Sequence, residues 1–349
     1  MSEPRRLVRP VWDPGDFARR RPFLIQRGAM IKAMRRVFAD RGFVEVETPA
    51  LQVSPGLEPH LHAFSCLRVW PEGRQAERHL HTSPEFAMKK LLAAGEPRIF
   101  QFARVFRNGE ASDTHSPEFT MLEWYRAHGT TEDLMADCHA LLQAAVEATG
   151  ATALSWQGQS ADPSAMARLS VAEAVQRYAG MALPLPAGTP GLEDWRALAA
   201  AAQTIGIEAA ADDRWEDVFF RIFLNRVEAQ LGHPHPTVLT GYPISMAALA
   251  RPDPSDARLA DRFELYVAGL ELANAFGELT DVAEQRRRFE ADRALAQELY
   301  GRAYPIDEDF LQALAHMPPA AGIALGVDRL AMLATGATSI RDVLWLASV

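Results

Sequence analysis

Two strand patterns joined by a short polar loop constrain the fold of this chain more than any other feature. They lie at residues 98–107 and 117–128. Two strands this close in sequence form an antiparallel hairpin, and the loop between them can carry ligand-binding groups. Arg107 ends the first strand and can clamp a phosphate, whereas Phe119 in the second can stack on a base. Taken singly, a strand arginine is more often part of a surface ion pair.

The other patterns predict an antiparallel sheet flanked by helices, which is an α+β fold. Runs of strands with helices inserted between them lack the regular alternation of a parallel sheet. Gly42 is the predicted end of the first helix, and Ser83 is the predicted N-cap of a short one. Further strands are predicted at residues 43–49, 60–70, 78–82, 236–241, 262–280 and 322–325, and helices at 23–41, 131–149, 281–300, 307–316 and 326–333.

The chain divides into a short arm and one large domain. Residues 1–22 are rich in proline and arginine and predict a loose N-terminal arm. Residues 23–349 predict a single domain, because 349 residues with 48% hydrophobic content can bury a substantial core. Residues 150–235 are rich in alanine and interrupted by proline and glycine, which predicts a helical insertion or peripheral region within that domain.

The composition argues against several kinds of partner. The formal net charge of −9 gives no general attraction to a polyanion such as nucleic acid. Cys66 and Cys138 lack the spacing of a metal site or a disulfide framework, which favours a reducing, cytoplasmic compartment. The chain has no run of about twenty apolar residues, so no membrane span is predicted.

The hairpin and two other segments together resemble the class II aminoacyl-tRNA synthetases. Residues 102–125 resemble motif 2 of the lysine type, 42–49 resemble motif 1 and 322–329 resemble motif 3, in the order of the family. The resemblance implies an ATP-binding catalytic domain and a homodimer formed through motif 1. The implied nucleotide contacts are Arg107 at the α-phosphate, His115 and Arg329 at the γ-phosphate end, Phe119 on adenine, and Asn108, Glu110 and Glu264, with Arg107 and Arg329 as the catalytic residues.

An acidic strand pair lies between motifs 2 and 3. Read alone, acidic residues that alternate with apolar ones are typical of the solvated face of an antiparallel sheet. The resemblance instead implies that Glu264 and Glu271 hold Mg²⁺, and Mg²⁺ on ATP needs only one or two protein carboxylates. Asn274 is implied as an additional oxygen donor in the substrate site.

A substrate with two ammonium groups needs acidic partners, because each buried cation must be paired. The resemblance implies that Glu85, Glu123 and Glu278 meet these amines and that Tyr125 hydrogen-bonds beside them. Glu85 can also be explained as a first-turn residue favoured by the helix dipole. Ala324 is implied to shape the pocket where lysyl-tRNA synthetases commonly carry glycine, and the alternative is an ordinary small core residue.

The chain departs from the lysine-type pattern at two positions. Gly109 stands where motif 2 usually has its acid, and the acid follows at Glu110. Ala275 follows Asn274 where glycine is usual, so a methyl group is expected near the site. The first departure implies a shift of the loop by one residue or the loss of one nucleotide contact.

The layout narrows the resemblance to the compact elongation factor P lysyltransferases. Roughly forty residues precede motif 1 and about twenty follow Arg329, too few for the anticodon-binding barrel of a lysyl-tRNA synthetase. The resemblance implies that ATP and (R)-β-lysine, or less well lysine, form an acyl-adenylate that is transferred to a lysine of elongation factor P and not to tRNA. A truncated lysyl-tRNA synthetase, a ligase for another carrier and an inactive ligand-binding paralogue remain as alternatives.

Overall fold

The computed structural model describes residue 10 and residues 12–185, 192–247 and 249–347. The strands are β1 (Val44–Glu45), β2 (Leu51–Gln52), β3 (Ser65–Val69), β4 (Gln75–Leu80), β5 (Arg98–Phe106), β6 (Glu118–Ala127), β7 (Leu154–Trp156), β8 (Gln159–Ala161), β9 (Ala167–Ser170), β10 (Thr237–Thr240), β11 (Arg262–Val267), β12 (Leu270–Gly277) and β13 (Ala320–Gly326). The helices are α1 (Pro14–Asp40), α2 (Glu85–Ala93), α3 (Thr131–Thr149), α4 (Val171–Ala179), α5 (Leu192–Gln203), α6 (Trp215–Ile222), α7 (Val282–Tyr300), α8 (Glu308–Leu314), α9 (Val327–Thr335) and α10 (Ile340–Val343).

An eight-stranded sheet organises the described part of the chain. Its order is β1-β5-β6-β13-β12-β11-β10-β9. The inner neighbours run antiparallel, and the two edge pairs β1–β5 and β9–β10 run parallel. The β5–β6 pair is the hairpin predicted from the sequence. The predicted α+β fold, with a mostly antiparallel sheet and flanking helices, is therefore confirmed.

Helices α1, α3 and α9 cover one face of this sheet with a hydrophobic core. Phe38 of α1 stacks on Phe100 of β5 with ring centroids 4.5 Å apart, and it meets Trp124 of β6 edge-on at 5.4 Å. Leu142 and Leu330 join the same buried cluster from α3 and α9. Side chains alternate between the two faces of a strand, so the neighbours of these core residues point to the opposite face.

Two predicted boundaries near the N-terminal end are wrong. Helix α1 begins at Pro14, with Asp13 as N-cap accepting from the Asp16 amide at 3.0 Å, so residues 14–22 are helical and not part of a loose arm. Residues 1–9 and 11 of the predicted arm lie outside the described residues. Gly42, with a φ of 73°, follows the C-cap of α1 as predicted. The strand predicted at 43–49 is only the two residues of β1.

Two further predictions need correction. The N-cap of α2 is Pro84 and not Ser83. The Ser83 hydroxyl accepts from the Glu85 backbone N–H, but Ser83 lies one residue before the N-cap position. The region 150–235 contains α4, α5 and α6 as predicted, packed around buried residues such as Val175 and Phe219. It also contains β7, β8 and β9, and β9 forms an edge of the main sheet. Residues 186–191 within it lie outside the described residues.

Candidate active site

One row of cross-strand partners contains four of the predicted site residues. In register across five neighbouring strands lie Glu264, Asn274, Ala324, Glu123 and Gln101. Their side chains share the face opposite the α1 core, because the residues next to them in each strand belong to that core. The row is called the cross-sheet row below.

A β-bulge brings Glu271 to the same face. Leu265 pairs with Ala273, but the next residue, Tyr266, pairs with Glu271, so Leu272 has no partner of its own. Leu272 packs into the core. Strict alternation would have turned Glu271 toward the core, and the extra residue reverses its direction. The bulge therefore places Glu271 beside Glu264.

At the other side of the row, four ionisable groups meet in a buried acidic pocket, formed by Glu85, Lys89, Glu123 and Glu278 and completed by Tyr125. The Lys89 ammonium lies 2.5 Å from Glu85 Oε1 and 2.5 Å from Glu278 Oε2. Tyr125 donates to Glu123 Oε2 at 2.9 Å, and the Ser83 hydroxyl donates to Glu123 Oε1 at 2.5 Å. The three predicted carboxylates are thus brought together as the sequence led us to expect.

Burial raises the pKa of two of these carboxyl groups, those of Glu123 and Glu278. Burial, and then the charge of Glu85, raise the pKa of Glu123 to about 8. Burial also raises the pKa of Glu278 to about 7, although Lys89 opposes the shift. For Lys89, burial alone would lower the pKa, but Glu278 and Glu85 outweigh it and raise the pKa above its usual value. A cationic ligand would favour the ionised carboxylates and displace protons from the pocket.

The Glu278 carboxylate can accept a further hydrogen bond. It is 2% exposed, and although Lys89 lies close to Oε2, neither carboxylate oxygen receives a well-directed hydrogen bond. Gly322 lets Glu278 and Tyr125 approach each other, since a Cβ there would lie 2.4 Å from Glu278 Oε1 and 2.2 Å from Tyr125 Cε1. A buried, underused carboxylate is costly unless a ligand supplies the missing donor.

Arg107, His115 and Arg329 form a second group, which we call the arginine end. Arg329 Nη2 lies 2.6 Å from His115 Nε2, and Arg329 Nη1 donates to the Glu271 carbonyl at 2.8 Å. Burial, and then the charge of Arg329, lower the pKa of His115, so a neutral imidazole accepts from the guanidinium. Among the described residues, no carboxylate lies within 4 Å of the Arg329 guanidinium, so a carboxylate does not neutralise its positive charge.

Arg107 is held loosely beside the hairpin loop. Its guanidinium carbon lies 5.3 Å from the centre of the Phe119 ring, and Nη1 is 3.9 Å from Glu110 Oε1. Gly109 turns the loop with a φ of 85°, and a Cβ there would meet nothing within 4 Å. The Asn108 backbone N–H donates to the His62 carbonyl at 2.6 Å and fixes the start of the loop. Glu110 thus reaches Arg107 from the position after the missing motif acid.

Glu264 lies in a dense set of hydrogen-bond donors. Tyr242 and Tyr266 donate to its Oε2 at 2.5 and 2.6 Å, and Arg262 pairs with its Oε1. Arg262 also donates to Asn274 Oδ1 at 3.2 Å. Burial, and then the charge of Glu264, raise the pKa of Glu271 to about 7. Two neighbouring carboxylates, one of which hinders the ionisation of the other, are a donor set that suits a divalent cation.

The described residues contain no group of three or more histidine, cysteine or acidic side chains arranged for a metal ion. A Mg²⁺ ion that bridges ATP phosphates takes one or two carboxylates and completes its shell with phosphate and water oxygens. Glu264 and Glu271 therefore fit such an ion only together with a nucleotide.

The structure corrects one expectation about Ala275. Its side chain is fully buried in the core on the α1 side of the sheet, so its methyl group does not enter the site. Ala324, by contrast, is only partly buried on the site face and packs against Ala103, Val105 and Met121.

The sequence reasoning missed Lys89 and Arg262, which contact the predicted acids directly. Each had a signal in the spacing. Lys89 follows Glu85 by one helical turn, and Arg262 precedes Glu264 by two residues in a strand, so each pair shares a face. Gly322 belongs to the segment that resembles motif 3, and the structure adds its role as a site of close approach between Glu278 and Tyr125.

Comparison with known proteins identifies the family of this chain. Residues 17–348 match the family described as "tRNA synthetases class II (D, K and N)". The match spans well over half of the chain, so the chain belongs to this class II synthetase family.

Its similar relatives carry a more particular name. A protein of Sodalis glossinidius named "Elongation factor P--(R)-beta-lysine ligase" is 41% identical over 93% of this chain and 94% of its own length. A protein of Haemophilus ducreyi with the same name is 41% identical over 92% of both chains. One of Salmonella paratyphi B, again with that name, is 41% identical over 96% of both.

Among the described residues, no helix combines the length and the apolar character needed to cross a membrane.

Proposed function

We propose that this chain uses ATP to activate (R)-β-lysine, and lysine less well, as an acyl-adenylate, and transfers the acyl group to a lysine of elongation factor P. The observation that carries the proposal is the cross-sheet row, which has a buried acidic pocket at one side and the arginine end with two carboxylates at the other. A diamino acid fits the acidic pocket, and a nucleoside triphosphate fits the arginine end. The names of the relatives supply the particular substrate and acceptor.

In the activation step, the amino-acid carboxylate attacks the α-phosphate of ATP and pyrophosphate leaves. Glu85, Glu123 and Glu278 hold the two ammonium groups, which leaves the carboxylate directed along the row. Arg107 contacts the α-phosphate, whereas Arg329 and His115 contact the γ-phosphate end. Such a step depends on positioning and on charge stabilisation by groups already in place.

Phe119 provides a stacking surface for adenine, with Asn108 and Glu110 as further nucleotide contacts from the loop. Arg107 lies over the same Phe119 ring, so base stacking and phosphate binding are coupled in space. Glu264 and Glu271 are the residues that would hold Mg²⁺, and Asn274 would direct an amide oxygen beside them. When bound, the ion neutralises phosphate charge and orients the leaving pyrophosphate.

In the transfer step, the ε-amine of the acceptor lysine attacks the adenylate carbonyl and AMP leaves. We propose elongation factor P and not tRNA as the acceptor, because the relatives are named for it and a net charge of −9 offers no general attraction to RNA. The alternative with a specific basis is tRNA, the acceptor of the wider synthetase family.

We propose further that two copies associate through the motif 1 region. Val44 of motif 1 is exposed in the single chain, and so are Leu51, Val53, Leu67 and Val69, which lie in or beside β2 and β3. A run of exposed apolar residues of this kind is typical of a protein interface. Sedimentation equilibrium tests this, with a dimer expected and a monomer at micromolar concentration contradicting it.

We also propose one catalytic domain that begins with α1, with a peripheral region at about 150–235. Helices α4 to α6 of that region have a hydrophobic cluster separate from the α1 core. Limited proteolysis tests the division, because cleavage within this region should leave the rest of the domain folded.

The central experiment combines the chain with ATP, Mg²⁺, (R)-β-lysine and elongation factor P, and measures the intact mass of the factor. A mass increase of one lysyl group is expected, and parallel reactions with lysine and with bulk tRNA rank the alternatives. Charging of tRNA to stoichiometric level at physiological salt would overturn the proposed acceptor. No pyrophosphate exchange with either amino acid would favour an inactive paralogue.

A further inference from the structure

Lys89 is a buried cation inside a pocket proposed to bind cations. Its side chain is 1% exposed, and its ammonium lies 2.5 Å from a carboxylate oxygen of both Glu85 and Glu278. A lysine ammonium is stable in such a buried site only because two carboxylates surround it. The same two carboxylates are the expected partners of the substrate amines.

The net charge of the acidic pocket balances the two ammonium groups of a diamino acid only if Lys89 is counted. Glu85, Glu123 and Glu278 contribute three negative charges when ionised, and Lys89 contributes one positive charge. The remaining charge of −2 equals in magnitude the two ammonium groups of a lysine-type diamino acid. Tyr125 contributes no charge, because burial, and then the charge of Glu123, raise its pKa well above the ordinary value.

Charged groups of both signs lie around the pocket. Arg251 acts on Glu278 from outside, but it is paired with Asp261 at 2.8 Å. Glu58 is half-buried and lines the same cavity as Glu85; burial and then the charge of Glu85 raise its pKa, and Arg107 and Lys89 oppose that shift. The peripheral charges therefore occur in opposite signs.

We propose that Lys89 is a specificity-determining positioning residue, whose ammonium neutralises one carboxylate and thereby fits the acidic pocket to a substrate with two ammonium groups. Lys89 acts through Glu85 and Glu278, which it holds in place. The underused Oε1 of Glu278 then remains for the substrate. This inference rests on the proposed function of the pocket.

The proposal predicts a particular pH dependence in neutral variants of Lys89. With Lys89 present, three carboxylates are balanced by three cations in the complex, and all can be ionised. In Lys89→Met, two substrate ammonium groups face three carboxyl groups, so one carboxyl keeps its proton in the complex. Binding then requires a proton, and affinity must fall as pH rises.

The experiment measures Kd for (R)-β-lysine and for lysine by calorimetry from pH 6 to pH 9. We expect the ratio of Kd in Lys89→Met to that of the unaltered chain to grow with pH, approaching tenfold per pH unit above about pH 8. Lys89→Gln, a second neutral variant, should show the same growth. Lys89→Arg keeps the charge and should give a constant ratio.

Lys90→Met is the matched control. Lys90 is the next residue of α2 and is also paired with carboxylates, Asp307 and Asp309, but these lie outside the pocket. Its variant should bind like the unaltered chain at every pH. A ratio for Lys89→Met and Lys89→Gln that stays constant with pH, or one that grows equally in Lys89→Arg, would show that the lysine only supports the fold. If the unaltered chain binds neither amino acid, the proposed function fails and not the role of Lys89.

Discussion

The acidic pocket and the arginine end treat their charges in opposite ways. In the pocket, carboxylates are deeply buried and compensated internally, with Lys89 2.5 Å from two of them. At the arginine end, Arg329 contacts a neutral histidine and backbone carbonyls, and Arg107 has only a carboxylate 3.9 Å away. The pocket thus selects for ligands with ammonium groups, because the buried carboxyl groups of Glu123 and Glu278 ionise only at a cost. The arginine end instead offers positive charge to an anion.

The difference teaches where each kind of defect should appear. Changes in the pocket should alter affinity and its pH dependence, because they change how many protons the pocket holds. Changes at the arginine end should alter the rate of adenylate formation, because they remove charge that stabilises the transition state.

The largest effect is expected for Arg329→Ala. Removing a preorganised charge from a developing anion costs about 3–4 kcal/mol, which lowers pyrophosphate exchange by a factor of about 10²–10³. Lysine affinity should change little, since Arg329 lies outside the acidic pocket. Near-normal exchange would remove the arginine end from catalysis. A loss of amino-acid affinity as large as the loss of rate would contradict the separation of the two regions.

Glu264→Ala and Glu271→Ala should follow in size. Each removes one of the two carboxylates proposed for Mg²⁺, so exchange should need a higher Mg²⁺ concentration or be lost. Glu290, an exposed residue of α7, gives the control, and Glu290→Ala should stay within about 0.5 kcal/mol of the unaltered chain. The measurement is a Mg²⁺ titration of exchange activity. Unchanged titration curves for both glutamate variants would place the ion elsewhere.

Glu123→Gln tests the pocket through stability. A carboxyl whose pKa is about 8 when folded and near 4.5 when unfolded stabilises the fold at low pH, and this stabilisation is lost as pH rises toward 8. Between pH 6 and pH 8 the free energy of unfolding should fall by on the order of 2 kcal/mol because of this group. Glu123→Gln should lack that decline in urea unfolding without substrate. The same decline in the variant would mean that another group causes it.

The smallest effect is expected for Ala324→Gly. Ala324 lies between Asn274 and Glu123 in the cross-sheet row, where one methyl group can favour β-lysine over α-lysine. One methyl group is worth about 1–3 kcal/mol, so the ratio of kcat/KM for the two amino acids should shift about tenfold or more toward α-lysine. If the ratio stays the same, Ala324 is only a small packing residue.

Much of this arrangement was predictable from the sequence because it depends on local patterns. The β5–β6 hairpin, the strand and helix of motif 3 and the acids of β11 and β12 follow from alternation and turn signals. The three pocket carboxylates come from distant segments, and only the resemblance to a family grouped them before the structure did.

The features that the sequence did not predict depend on non-local pairing. The bulge at Leu272 is not visible from alternation, since its effect appears only when β12 is aligned with β11. The place of β9 at the sheet edge depends on pairing with β10, about seventy residues later in the chain. Helix α1 continues through Pro22, which an arginine-rich and proline-rich segment does not suggest.

The cross-sheet row also acts as a ruler. Backbone hydrogen bonds hold neighbouring strands about 4.8 Å apart, so the three steps from Glu264 through Asn274 and Ala324 to Glu123 span about 14 Å. Under the proposed function, this length separates the metal-side carboxylate from the acid that receives an ammonium group. Side-chain substitutions can change which group is recognised at each position of the row, but the spacing between positions is set by the backbone. Diamino acids one methylene shorter or longer than lysine should therefore lose activity in every variant of the row, and activation rates with ornithine and homolysine measure that limit.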